Sequence, residues 1–389
     1  MPEESHQIGP FGPPASGPVD LLIIAGEHSG DQHAARVARV LKSKDPTLQI
    51  ASLGGPELAK FSQQLIDLTQ FSVVGLVEVL KHIRQFRQIF YGTLSWIKEH
   101  QPKQILLVDY PGLNLRLAKA LYESGTSTKG GGSVKVHYYI GPQIWAWKAG
   151  RRFKMARWLD ALGVIFPFET DIYQDTDLPV KFVGHPLVDP AEQLPVHYDS
   201  KGPLLILPGS RKAPIKRILP GQLKSLRRLR ATFTDLKTVI LYPDEGLREL
   251  VDSIIQDYPD LKESICLKPA GESVGGSAVI TSSGTMSLIC ALAGIPGCLV
   301  YRAHPMTYWM GRKLVKVPYL GMPNLLLNKE VYQEFIQDQF NEETVCAEIL
   351  KCLQDEENVN RAADNAAALR ENLQADRPPA EMTAEWLMR

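Results

Sequence analysis

Chemistry-bearing side chains in this chain collect at the breaks that follow apolar runs. Asp109 directly follows the run QILLV at 104–108. A carboxylate at the carboxyl end of a buried strand lies where open α/β sheets bind ligands, and it can take a proton from an attacking hydroxyl. Spacing alone equally allows Asp109 to cap a helix starting near Leu113. The segment GEHSGD (26–31) also follows a buried run and opens a helix, so its N–H groups and the Ser29 hydroxyl suit an anion or a sugar hydroxyl. Gly26 and Gly30 are four apart, which is not the dinucleotide fingerprint, and the charge of Glu27 favours hydroxyl recognition over phosphate. A plain glycine turn with Asp31 near the helix N-terminus remains the alternative. Further on, LPGSRK (207–212) offers Ser210 and Arg211, whose guanidinium can hold a phosphate in bidentate fashion. TSSGT (281–285) offers Ser283, Gly284 and Thr285 at the start of a helix, a diphosphate cradle. Two such loops in one half favour a nucleoside diphosphate.

Other segments are less pointed. DTD (175–177) has the spelling of a metal site but lies in a polar stretch, so no metal is assigned. YYIGPQIWAWKAGRR (138–152) is either aromatic core or a sugar or lipid site in which Trp145 and Trp147 adjoin Lys148, Arg151 and Arg152. In 71–90 the apolar FSVVGLVEVL runs into KHIRQFRQIF, with Lys81, Arg84 and Arg87, which suits an anionic bilayer surface as well as a buried helix with a solvated face. His28 and His185 adjoin Gly or Pro turns, a setting more often structural than catalytic.

The elements that must position these groups alternate as strand, glycine turn and helix. From Val19 to residue 187 the buried-strand runs lie at 19–26, 48–55, 104–109, 134–141, 161–168 and 181–186, with helices expected at 32–44, around 94–99 and at 115–123. The stretch 188–200, with prolines at 186, 190, 195 and 203 in or around it, reads as a linker. Alternation then restarts over 201–355, with strand segments at 203–211, 237–243, 264–269, 277–284 and 297–302. Two such arrays predict an α/β protein of two Rossmann-like domains facing a central cleft. Residues 1–18, with five prolines and three glycines, read as a disordered tail, and 356–389 as C-terminal helices crossing back to the first domain.

Composition narrows the classes. With 43 basic and 43 acidic side chains the net charge is zero, so no global field draws the chain to nucleic acid or membrane. No apolar run approaches the roughly 20 residues of a membrane span. The cysteines at 266, 290, 298, 346 and 352 form no CxxC pair, which fits reduced, mostly buried thiols and a cytosolic setting.

Taken in order, GEHSGD, VVGLVEVL, VDYPGLNLRLAK, GPQIWAW, FPFE, FVGHPLVD, LPGSR, SSGT, YR and VPYLGMPNLL resemble the lipid-A-disaccharide synthase family over about residues 19–353. The resemblance implies a GT-B glycosyltransferase, peripheral on the cytosolic face of the inner membrane and touching it through 71–90. It implies condensation of a UDP-2,3-diacylglucosamine donor with a 2,3-diacylglucosamine 1-phosphate acceptor to the β-1,6 disaccharide, with inversion and without metal or cofactor. By the same resemblance Asp109 is the base and Arg211 steadies the diphosphate. Glu27 and Ser29 lie near the acceptor; Ser283, Gly284 and Thr285 contact the UDP, with Arg302 and Asn324 lining the cleft; His28, Gly30, Asn114, His185 and Ser210 are further substrate-binding positions; a homodimer is left open. Three segments depart from the family pattern. Gly112 and Leu113 replace the acid and Phe of DxPDFN, Pro214 replaces an acid after LPGSR, and Ile289 replaces a Glu that in GT-B enzymes commonly binds ribose. Related architectures leave a UDP-sugar epimerase, another lipid-linked N-acetylglucosaminyltransferase, or a non-catalytic nucleotide-sugar binder as rivals. An epimerase has no need of the basic and apolar segment at 71–90.

Overall fold

A computed structural model describes residues 11–71, 76–146, 148–304 and 317–388, without the side chains of 76–83 and 146. The chain forms two units: Met1–Asp189 together with Gln374–Arg389, and Pro190–Leu373.

In the first unit the apolar runs become β1 (Leu21–Ala25), β2 (Ile50–Gly54), β3 (Gln63–Asp67), β4 (Gln104–Val108), β5 (Lys135–Tyr139), β6 (Ala161–Val164) and β7 (Val180–Phe182). They lie in the order β3-β2-β1-β4-β5-β6-β7, every neighbouring pair parallel. Parallel neighbours need crossovers, supplied by helices α1 (His28–Lys44), α2 (Pro56–Ala59), α3 (Leu76–His100), α4 (Pro111–Glu123) and α5 (Arg151–Trp158). Helices on the sheet faces explain why Leu22, Ile24, Ile105 and Leu107 are all 0% exposed. The sheet grows from β1 outwards to β3 and then restarts on the other flank at β4. The switch between β1 and β4 is where an open α/β sheet leaves a crevice beyond its strand ends.

Two expectations change here. Residues 11–18 are held, not loose: Ala15 N–H donates to Gln63 Oε1 at 2.7 Å, Gln63 Nε2 to the Pro13 carbonyl at 2.9 Å, and Trp96 Nε1 to the Gly12 carbonyl at 2.9 Å. Proline-rich backbone has few donors but keeps its carbonyls, and side chains of β3 and α3 use them; residues 1–10 lie outside the described residues. The helix expected around 94–99 is the end of the 25-residue α3. Its later turns bury Ile89, Thr93, Trp96 and Ile97, a stripe at helical spacing, while Arg84 and Arg87 are exposed. The remainder of the 71–90 segment, at 72–75 and in the side chains of 76–83, Lys81 included, lies outside the described residues, as does Trp147.

The second unit repeats the scheme. Strands β9 (Leu204–Leu207), β10 (Thr238–Tyr242), β11 (Ile265–Pro269), β13 (Ala278–Ser282), β14 (Gly297–Tyr301) and β15 (Gln333–Ile336) form a parallel sheet in the order β11-β10-β9-β13-β14-β15. Helices α6 (Lys212–Arg230), α7 (Glu245–Ile255) and α8 (Thr285–Leu292) connect them, and the switch falls between β9 and β13. The stretch read as a linker is built into this unit from Pro190 on: β8 (Val196–Tyr198) pairs in parallel with β12 (Val274–Gly276). Its prolines break helices without breaking pairing, since the Pro195 carbonyl accepts Val274 N–H at 2.9 Å.

The C-terminal expectation is corrected in part. Helix Glu356–Leu373 stays with the second unit, where Arg370 donates to the Leu292 carbonyl at 2.9 Å and Leu369 and Leu373 are fully buried. Only residues from 374 on join the first unit. Trp386 of helix Pro379–Leu387 meets the His137 ring edge-on at 5.1 Å, and Gln104 Nε2 donates to the Leu387 carbonyl at 3.0 Å. Four of the cysteines, 290, 298, 346 and 352, are buried thiols, and Cys266 is an exposed one. Among the described residues no helix is long and apolar enough to cross a membrane.

Candidate active site

At the switch point of the first sheet the chain makes an unusual elbow. Asp109 and Tyr110, between β4 and α4, have φ of 44° and 47°. Two successive non-glycine residues in the left-handed region cost about 1–2 kcal/mol each, so the surroundings must enforce the shape. They do so through one atom. The Asp109 carbonyl accepts Asn114 Nδ2 at 2.7 Å and the Tyr138 hydroxyl at 2.6 Å. Asn114 also reaches the Val108 carbonyl at 3.2 Å, and Asp109 N–H is bound by the Tyr139 carbonyl at 2.9 Å. The elbow fixes the backbone and leaves the Asp109 carboxyl half-buried at the rim.

Across the switch point Gly26 directly follows β1. A Cβ there would lie 2.2 Å from the Tyr110 ring, so only glycine lets that ring close over the β1 turn. Glu27 follows as the N-cap of α1, exposed and making no capping bond with its side chain. His28, Ser29 and Gly30 are therefore the first turn of α1 and not a free loop; His28 and Ser29 are exposed and Gly30 is buried. Burial, reinforced by the negative charge of Glu27, pushes the Asp109 carboxyl up to about 6. A carboxylate of that basicity, held at a rim beside a second acid, is poised to take a proton near neutral pH.

The same face carries Glu169, 2% exposed. It accepts Trp145 Nε1 at 3.2 Å and Phe166 N–H at 3.1 Å, and burial raises its carboxyl to about 7. Trp145 and Phe168 meet edge-on at 5.3 Å, so Glu169 anchors the aromatic segment that follows β5.

In the second unit the loops at the switch point abut each other. Gly209, at φ 119°, has Pro214 at 3.1 Å and Ser282 at 3.4 Å from the position of an added Cβ. Arg211 is the exposed N-cap of α6 and Ser210 is exposed beside it. Gly284 and Thr285 open α8 and are exposed, and Ser283 donates to the Leu320 carbonyl at 3.2 Å. Two helix N-termini and a guanidinium thus share one rim, a suitable place for a diphosphate. Pro214 stands in the first turn of α6, and Ile289 is 7% exposed, so this side chain packs inward and offers a nucleoside no polar group.

Besides Asn114 of the elbow, three of the sequence-predicted residues are occupied by the protein itself. Asn324, 0% exposed, donates to the Tyr332 carbonyl and to Glu334 Oε1, both at 2.8 Å, and its Oδ1 accepts Val331 and Tyr332 N–H at 2.9 Å. Arg302 lies over the Phe340 ring and donates to the Phe340 and Gln337 carbonyls. His185 is 7% exposed, accepts Leu187 N–H through Nδ1, and is pushed down to about 3 by burial and by His33. Asp175 of the DTD segment forms a two-pronged pair with Arg152.

Asp31, expected near a helix N-terminus, lies in the first turn of α1, is 1% exposed, and accepts the N–H groups of Gly55, Glu57 and Leu58, so tying α1 to the start of α2. The sequence did not single out Gln222 or Tyr138. Gln222, fully buried in α6, donates to the Leu207 and Ile280 carbonyls and staples β9 to β13. A lone polar residue in an apolar helix face is the available signal for Gln222. For Tyr138, one of many strand aromatics, there is none.

The comparisons now bear on this geometry. Residues 21–385 match the family described as Lipid-A-disaccharide synthetase. A lipid-A-disaccharide synthase of Trichlorobacter lovleyi is 34% identical over 92% of this chain and 94% of its own length. One from Geobacter sulfurreducens is 32% identical over 91% and 92%. Among solved structures, a UDP-GlcNAc 2-epimerase of Neisseria meningitidis bound to UDP-GlcNAc superposes with a TM-score of 0.61 at 13% identity, covering 95% of this chain and 99% of that one. Acinetobacter baumannii MurG gives 0.51 at 14% over 95% and 99%. At such identity these show the fold alone, the GT-B fold with its two Rossmann-like domains. The sequence matches go further: the chain belongs to the lipid-A-disaccharide synthase family and is a glycosyltransferase of lipid A synthesis.

Proposed function

We propose that Asp109 is the general base of this transferase, acting on the 6-hydroxyl of 2,3-diacylglucosamine 1-phosphate. As the hydroxyl proton passes to the Asp109 carboxylate, the oxygen attacks the anomeric carbon of UDP-2,3-diacylglucosamine. The bond to the diphosphate oxygen breaks and UDP leaves with its electron pair, so the configuration inverts to a β-1,6 linkage. Arg211 and the α8 end at Ser283, Gly284 and Thr285 take up the charge of the leaving diphosphate, work that this mechanism does not give to a metal. Ser210 supports the same loop. Glu27, His28, Ser29 and Gly30 border the acceptor, while Asn114, His185, Arg302 and Asn324 act from behind by fixing the walls. The acyl chains stay in the bilayer, and the exposed Arg84 and Arg87 of α3 face anionic headgroups on the cytosolic side of the inner membrane.

The observation that carries this reading is the Asp109 carboxyl, raised to about 6 on a backbone elbow held by Asn114 and Tyr138. The test is disaccharide and UDP release from the two purified substrates. Asp109→Ala should stay folded and form no disaccharide; near-normal turnover would remove Asp109 from the mechanism.

A further inference from the structure

A cavity of about 280 Å³ lies between α4 and α5, beginning at Pro111 and Gly112, directly beyond the Asp109 elbow. Its charged lining is of one sign: Arg116 and Lys119 from α4, Arg151 and Lys154 from α5. In each helix the two cations are three residues apart and so share a face, and the two faces meet across the cavity. No acidic side chain is among its lining residues. Its floor is apolar, built from the buried Leu115 and Met155 and the half-buried Trp158.

Like charges do not gather around an apolar-floored cavity without a repulsive cost, which a bound anion removes. Arg116 and Lys154 are exposed and have no ion pair among the described residues. Lys119 has only a solvent-exposed contact with Glu123 at 3.4 Å, a weak pair that leaves the ammonium available. Arg152 points elsewhere, to Asp175. The cavity opens beside Pro111, the first residue of α4, so the positive end of that helix adds to the field.

We infer that the α4–α5 cavity binds the phosphate monoester of the acceptor glycolipid, with the apolar floor taking the first carbons of an acyl chain. This rests on reading Asp109 as the base for the acceptor hydroxyl. A phosphate seated among Arg116, Lys119, Arg151 and Lys154 places the sugar of the same molecule next to the elbow. It also makes the phosphate a specificity determinant, since a neutral acceptor would bring no counter-charge to Arg116 and Lys154.

The test uses the full chain with Arg116→Glu and Lys154→Glu combined, both exposed side chains, assayed in detergent micelles. Two acceptors are compared: 2,3-diacylglucosamine 1-phosphate and the same monosaccharide without its phosphate. Loss of charge-assisted hydrogen bonds should raise KM for the phosphorylated acceptor by about tenfold or more. Donor KM, kcat at saturation and turnover of the unphosphorylated acceptor should be unchanged, and Arg116→Gln with Lys154→Gln should give an intermediate effect. An unchanged KM, or an equal loss with both acceptors, overturns the inference. So does lost flotation with phosphatidylglycerol vesicles at unchanged micellar KM, which would make the cavity a bilayer contact. If the wild-type chain forms no disaccharide, the functional reading fails by itself. Equilibrium binding of the phosphorylated monosaccharide, weakened about tenfold in the Glu variant, then still decides the cavity.

Discussion

Asp109, proposed above as the base, sits on backbone that few residues tolerate, and its carboxyl is raised first by burial and then by a neighbouring charge. Burial and Glu27 both raise Asp109 to about 6. The active form is the carboxylate, so activity falls as pH drops through that value. Glu27→Gln removes the charge contribution, and the acid limb of kcat/KM should move to lower pH; an unmoved limb would disconnect the two residues. Asp109→Asn should lower kcat by about 10²–10⁴, the usual worth of a positioned base, without changing UDP binding. Gly26→Ala acts on the same elbow from the opposite side. Its methyl would overlap the Tyr110 ring, so kcat should fall while the melting temperature changes little. Asp109 was legible as a strand-end carboxylate, but the capping alternative could not be dismissed from spacing. The structure puts the N-cap of α4 at Tyr110, with no side-chain capping bond, and binds the Asp109 carbonyl from behind while its carboxyl lies half-buried.

At the scale of elements, buried polar residues decide how strands and helices meet. Asp31 holds three N–H groups at the start of α2, and Asp31→Ala leaves them unsatisfied. A loss of about 3 kcal/mol is expected in chemical denaturation, partly restored by Asn, which keeps one acceptor. The strands that show as apolar runs, such as β1, β4, β9 and β13, were legible because both faces are buried. By contrast β3, β8, β12 and β15 carry polar residues or glycine, and only pairing with a neighbour makes them strands. The same applies to the strap at 11–18, whose composition suits a loose tail. Its order comes from Gln63 and Trp96, distant in sequence.

For the whole molecule, the titrations of the first unit oppose one another. His33, His137 and His185 are held down to about 4, 4 and 3 by burial, so their contribution is present above the ordinary histidine value and is lost as pH falls towards those values. Asp109 and Glu169 are raised to about 6 and 7, so their contribution is full below the ordinary carboxyl range and is lost as pH rises through 6 and 7. Glu169→Gln removes one of the latter. Relative to wild type it should gain about 2 kcal/mol at pH 8, with the gain vanishing below about pH 4.5 in thermal or urea unfolding. Zero net charge conceals this arrangement and also the local cationic sites, Arg116 to Lys154 on one face and Arg84 with Arg87 on α3.

The sequence by itself determined the class of this protein. Continuous apolar runs between glycine turns specify parallel sheets covered on both faces, and the ordered motifs specify the family, because both are local patterns written along the chain. The tertiary structure decided which groups share a rim. Asn114 and Tyr138 meet on one carbonyl, Gly209 packs on Ser282, and cations from two helices surround one cavity. Those are contacts between segments far apart in sequence, fixed by strand order and helix packing. The same packing turned Asn324, Arg302 and His185 inward, where buried donors and acceptors must be satisfied by the protein before any ligand can use them.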